Sequence, residues 1–164
     1  MNPFVGAISN HFEVEDMSRN CVYDSPIFDN PTILDINDGH YAYINKVVNN
    51  VRNANFKSRY LVGSCLLLEK SSVNIFGVCQ LKSHPLQLKY SNDDNHMFLH
   101  AEIDSLRKLI HHHDYEPSVM YVVRFLKSGE FRPSKPCDIC AKALTDFKVP
   151  MVIYFDETWQ SVRL

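Results

Sequence analysis

The chain has 164 residues and a mass of 19.0 kDa, which is the size of one domain with a terminal appendage. With 45% hydrophobic and 22% charged residues it has a globular composition, which excludes a disordered or collagen-like chain. The net charge of −2 carries no overall nucleic-acid signature, no apolar run approaches the ~20 residues of a membrane span, and the first residues lack the basic start and apolar stretch of a secretory leader.

Charge is unevenly distributed. Residues 1–40 hold one basic residue, Arg19, and seven acidic ones, so an acidic head of −6 precedes a body of +4. Residues 1–37 read as an acidic N-terminal arm, irregular in its first 30 residues, and residues 38–164 as the folded domain. Such an arm is either solvated or laid across the basic body. Asp38 is suited to cap a helix over 39–55, where Ile44, Val47, Val48, Val51 and Asn55 recur at helical spacing. Two strands, Tyr60–Leu68 and Val73–Leu81, flank a short polar stretch and predict a hairpin. Residues 82–95 read as a loop. Leu99, Ile103, Leu106 and Ile110 predict a helix over Phe98–His111, and the histidines at 111–113 suit its frayed, electronegative end. The β-branched run Val119–Leu126 predicts a buried strand, and residues 127–136 a loop. Cys137–Phe147 is a helix with Pro136 suited to its first turn. Met151–Phe155 and Trp159–Leu164 are the last two strands. The order α β β α β α β β predicts a sheet with helices on its faces.

Five cysteines, an odd number without a secretory leader, predict reduced thiols and a cytoplasmic protein. Cys137 and Cys140 are three apart at a helix start, which puts both sulfurs on one side where the helix end favours thiolates. With His100 they make a set of three zinc ligands. Three protein ligands leave the fourth position to a water or hydroxide, the catalytic pattern for one Zn2+ per chain. Glu102, two residues after His100, is a carboxylate placed to carry protons beside the metal. His-x-Glu followed by Pro-Cys-x-x-Cys is the known signature of zinc nucleobase deaminases. Each half alone is a weak signal, since Cys-x-x-Cys is often structural zinc or redox chemistry. Together, with a proline before the first cysteine, they are specific.

On these motifs, residues 40–164 resemble the cytidine/deoxycytidylate deaminase superfamily. Leu99–Leu109, Ser134–Cys140 and Gly77–Tyr90 look like small deaminase-like proteins of bacteriophages. The resemblance implies a three-layer α/β/α fold with a five-stranded mixed sheet whose last two strands are antiparallel. It also implies zinc held by His100, Cys137 and Cys140, Glu102 as proton shuttle, the Ala101 N–H facing a base carbonyl, and the Lys135 carbonyl near the exocyclic amine. Many members carry an Asn that contacts the sugar; the matching residue here is Cys79, whose thiol is a weak hydrogen-bonding group. The stretch Asp156–Thr158 is too short to hold a helix between the last strands, as in members that act on free nucleosides. A homo-oligomer is also implied.

The first reading is a hydrolytic deaminase of a free cytosine nucleoside or nucleotide, with Lys82, His84, Lys89 and Arg132 as candidate phosphate contacts. A second is a deaminase of bases within RNA or single-stranded DNA. A third is a zinc-stabilised binding module without catalysis. No membrane partner is expected.

Overall fold

In the computed structural model, which describes residues 26–28, 30–54, 60–91 and 98–164, the expected first helix is α1 (Asp38–Asn53). Residues 1–25 and 29 of the expected arm lie outside the described residues, as does Asn55. The cap of α1 is Asn37 and not Asp38: the Asn37 side chain accepts from the His40 N–H at 3.1 Å, and Asp38 occupies the first turn. Ile44, Val47 and Val51 form the buried stripe of α1. They lie so close to the sheet that a Cβ on Gly63 would stand 2.3 Å from a methyl of Val51.

The sheet contains β1 (Thr32–Ile33), β2 (Tyr60–Leu68), β3 (Asn74–Val78), β4 (Pro117–Leu126), β5 (Phe131–Arg132), β6 (Met151–Asp156) and β7 (Thr158–Arg163). It runs β1-β7-β6-β4-β2-β3, with β5 continuing beside β4. The expected five-stranded mixed sheet is therefore corrected to seven strands. The two additions, β1 and β5, are two-residue pairings that no alternation of side chains could announce. The hairpin β2–β3 forms as expected, although β3 is shorter than Val73–Leu81. Strands β4 and β6 are the parallel pair, joined by a crossover through α4 (Asp138–Asp146). Strands β6 and β7 are antiparallel, as expected. Their turn is a single residue, Glu157, at φ 58°, so no helix separates them.

Two further helices complete the chain. The segment expected as a loop contains α2 (Pro85–Tyr90), and α3 (Ala101–Leu109) runs into a 3-10 turn at Ile110–His112, where the frayed end was expected. Side-chain alternation along β4 divides the core. Tyr121, Val123 and Phe125 join Ile44, Val47, Val51 and Trp159 on the α1 face. Met120 and Val122 join Ile103, Leu106, Leu144 and Tyr154 on the face covered by α2, α3 and α4. Phe28 is buried on this second face, with its ring edge-on to Tyr154 at 5.8 Å. No helix among the described residues is long and apolar enough to cross a membrane.

Candidate metal centre

Helix α3 begins over the middle of the sheet, where the Ala101 carbonyl meets Ser64 of β2, and α4 begins after a loop that Ser134 ties to Val122 of β4 and Phe155 of β6. His100 is the cap residue of α3 and Cys137 that of α4, and Cys140 lies in the first turn of α4. Pro136 precedes the cap and so stands just outside the helix, not in its first turn. The Nδ1 of His100 lies 3.3 Å from Cys140 Sγ and 3.4 Å from Cys137 Sγ. All three donor atoms lie within 4.8 Å of one another. Tetrahedral zinc, with bonds of ~2.3 Å to sulfur and ~2.0–2.1 Å to nitrogen, would set a sulfur and a nitrogen about 3.6 Å apart. The donor set and its spacing fit one zinc ion. Both cysteines are buried at the N-terminus of α4, whose positive dipole end suits them to bind as thiolates.

Glu102 is only 5% exposed. Burial pushes its carboxyl above the ordinary range, as does charge on Cys137, while His100 and a hydrogen bond involving Cys140 pull the other way. Burial alone would lower the His100 imidazole; the Cys137 sulfur and Glu102 outweigh it and raise the ring instead. The carboxyl and the three donors are thus one electrostatic unit. Cys79 belongs to its edge: burial first, then the Glu102 charge, pushes the Cys79 thiol up to about 12. That thiol is therefore a neutral group at neutral pH.

Ala101 is held from both sides. Its carbonyl accepts from Ser64 Oγ at 2.7 Å, and Ser64 also meets Ser105 Oγ at 2.7 Å. A Cβ on Gly77 would stand 2.0 Å from that same carbonyl, so the helix rests on bare backbone there. Lys135, half-buried, sits between Ser134 and Pro136 in the segment that enters α4. Among the other expected candidates, His84 caps α2 by accepting from the Leu86 N–H, and Lys89 lies over the Tyr90 ring.

Two positioning residues were not anticipated. Gln87, fully buried on α2, accepts the His100 backbone N–H at 3.0 Å. Ser134 ties the loop before Cys137 to β4 and β6: its Oγ donates to the Val122 carbonyl at 2.8 Å and accepts from the Phe155 N–H at 3.0 Å. Gln87 lay in a stretch read as loop, where Pro85 was the available helix-start signal. Ser134 lay inside the motif but its partners are distant in sequence.

The family model described as the cytidine and deoxycytidylate deaminase zinc-binding region matches residues 38–156. That span covers α1 through β6 and includes the whole metal centre. A search of the curated proteins finds no match to the chain.

Proposed function

This chain belongs to the cytidine and deoxycytidylate deaminase zinc-binding family, and from that premise we propose that it hydrolyses the cytosine base of a free nucleoside or nucleotide to uracil. Water adds at C4 and ammonia leaves. The observation that carries the reading is the buried Glu102 carboxyl in electrostatic contact with the His100, Cys137 and Cys140 cluster. His100, Cys137 and Cys140 would hold the zinc. When bound, zinc supplies a Lewis acid that lowers the pKa of water toward neutrality.

Glu102 takes the proton of the attacking water, gives it to the ring nitrogen N3, and carries the next proton to the departing amine. A carboxyl raised by burial is matched to both duties, because it gives up a proton more readily near neutral pH than an arginine or lysine and accepts one more readily than an exposed Glu. The Ala101 N–H faces the base carbonyl, and the Lys135 carbonyl accepts from the exocyclic amine. Cys79 stands at the sugar. The one-residue turn between β6 and β7 supports a free substrate over a polymeric one, following the resemblance noted for the sequence.

The test is a mass-spectrometric deamination assay of the zinc-loaded protein on cytidine, deoxycytidine, their phosphates and short single-stranded oligonucleotides. The wild type is expected to convert a free cytosine compound. Glu102→Gln should lose about 10²–10⁴-fold in rate while still binding one zinc per chain. Equal activity in the variant, or conversion of oligonucleotides alone, would overturn the reading.

A further inference from the structure

Helix α3 rests on a buried polar seat in an otherwise apolar interface. Ser64 of β2 and Gly77 of β3 are direct cross-strand partners beneath its first turn. Alternation along the strands puts Ser64 on the face that Leu66, Leu68, Ile75, Met120 and Val122 make apolar. Ser64 and Ser105 are both wholly buried. Burying a hydroxyl costs free energy unless it is hydrogen-bonded, and alanine would fill either place at almost the same volume. These two hydroxyls therefore call for a role beyond packing.

Proton counting fixes the direction of their bonds. The Ser64 hydroxyl donates to the Ala101 carbonyl at 2.7 Å. A serine has one hydroxyl proton, so across the 2.7 Å contact between the two side chains Ser105 donates and Ser64 accepts. The Ile75 carbonyl, 3.3 Å from Ser105 Oγ, is the weaker alternative for that proton. Two hydroxyls thus form a chain that ends on the Ala101 carbonyl. Hydrogen bonds in a buried chain polarise one another.

The Ala101 carbonyl is satisfied without this bond. It belongs to the first residue of α3, so it accepts from the N–H four residues on, and Ser64 takes its second lone pair. What the bond adds is the orientation of a peptide group. That group joins Ala101 to Glu102, and its N–H is the one that hydrogen-bonds the Glu102 carboxyl. The peptide group before His100 is held separately. Its Leu99 carbonyl accepts from the Gln80 N–H at 2.9 Å, and its His100 N–H donates to Gln87. One set of bonds therefore holds the ligand, and another aims the carboxyl two residues on. Gly77 sets the height of the seat, because a Cβ there would also stand 2.6 Å from Ser105 Oγ.

We propose that Ser64, backed by Ser105, is a positioning residue for Glu102 that acts through the Ala101–Glu102 peptide group. The proposal rests on the deaminase reading, in which Glu102 carries the protons, and adds the residues that aim it. Its signature is a loss of rate without a loss of fold. Ser64→Ala leaves the Ala101 carbonyl its helical bond and the Ser105 hydroxyl the Ile75 carbonyl. No buried group is orphaned, so stability in urea should barely change while the carboxyl loses its aim.

Zinc-loaded wild type and variants are compared on whichever cytosine substrate the wild type deaminates. Ser64→Ala should lower kcat by ~10–100-fold with KM within ~2-fold, as expected when a reacting group is misplaced. Ser105→Ala should cost less, ~2–5-fold, and the double substitution no more than Ser64→Ala alone, because Ser105 acts through Ser64. Ser64→Thr restores a hydroxyl and should recover most of the rate; Ser64→Val, of the same shape, should not. Two readouts stand apart from turnover. Zinc affinity in competition with a chelator should stay within ~2-fold in Ser64→Ala, since the bonds that hold His100 are untouched. Calorimetric binding of a reduced pyrimidine nucleoside bearing a hydroxyl at C4, which mimics addition of water there, should weaken by ~10-fold or more, while binding of the uracil product is unchanged.

A Ser64→Ala protein with wild-type kcat and wild-type affinity for the C4-hydroxyl compound overturns the proposal. So does a loss of rate that comes with an equal loss of zinc affinity or of stability, which would make the hydroxyl a support of the fold alone. Additive losses in the double substitution would remove Ser105 from the chain and overturn the relay. A wild type that deaminates nothing and does not prefer the C4-hydroxyl compound sinks the deaminase reading and this proposal with it; an active wild type indifferent to Ser64 sinks this proposal only.

Discussion

Ser134 joins three backbone groups of the two central parallel strands with one residue. Its hydroxyl bridges the Val122 carbonyl and the Phe155 N–H, and its own N–H donates to the Phe155 carbonyl at 2.8 Å. The loop that delivers Cys137 is therefore fixed three residues before the ligand. Removing the hydroxyl in Ser134→Ala orphans one acceptor and one donor in a buried setting. Each such group costs about 1–3 kcal/mol. The variant should unfold at lower urea concentration and hold zinc more weakly in competition with a chelator. Unchanged stability and unchanged zinc affinity together would show that the bridge does not position the loop. The metal ligands themselves were legible from residue type and spacing. The residues that aim them were not, because Gln87 and Ser134 act through hydrogen bonds to backbone far away in the chain, and no local pattern encodes those.

At the scale of elements, α3 closes the open edge of the sheet. Strand β3 is terminal, and its outward backbone groups would otherwise invite another strand. The Asp104 carboxylate accepts from the Val78 N–H at 3.1 Å, and Lys108 Nζ donates to the Phe76 carbonyl. Asp104, 0% exposed, also pairs with Arg107 at 2.6 Å and Lys108 at 2.8 Å. Burial alone would raise its carboxyl; the bonds from Lys108, Val78 and Arg107 together hold it below the ordinary value. A carboxyl depressed in the folded state stabilises the fold above its unfolded pKa of about 3.9, and that contribution is lost as pH falls through the lower folded value. Asp104→Asn should therefore lower stability by about 1–3 kcal/mol at neutral pH. The gap to wild type should narrow on acidification below pH ~4, as read from urea titrations across pH. A gap independent of pH would assign the loss to packing.

The same scale shows what periodicity can and cannot reveal. The long elements were legible for two reasons: in α1 and α3 four apolar residues recur at helical spacing, and β2 and β4 are near-continuous apolar runs of strand length. The six-residue α2 is too short for a repeat, and so are the two-residue strands β1, which pairs with β7, and β5, which pairs with the end of β4 beyond its β6 partner.

Across the whole molecule, burial and not membership of the sheet decides what the N-terminal segment contributes. Strand β1 pairs with β7, yet its Ile33 is 75% exposed. Ile33→Ala should change stability by no more than about 0.5 kcal/mol, as for other exposed side chains. Five residues earlier, Phe28 is 1% exposed and sits in the same cluster of buried residues as Cys137 and Cys140. Its edge-on contact with Tyr154 links the segment before α1 to the central strand β6, so the metal face is closed by residues that precede the family-matched region. Phe28→Ala removes a full ring from a packed interior, and such truncations cost about 3–5 kcal/mol because the cavity only partly collapses. Urea unfolding of both variants reads the contrast directly. A loss below ~1 kcal/mol for Phe28→Ala would mean that the ring's site relaxes freely, and that the segment is attached to the domain without being part of its cooperative core.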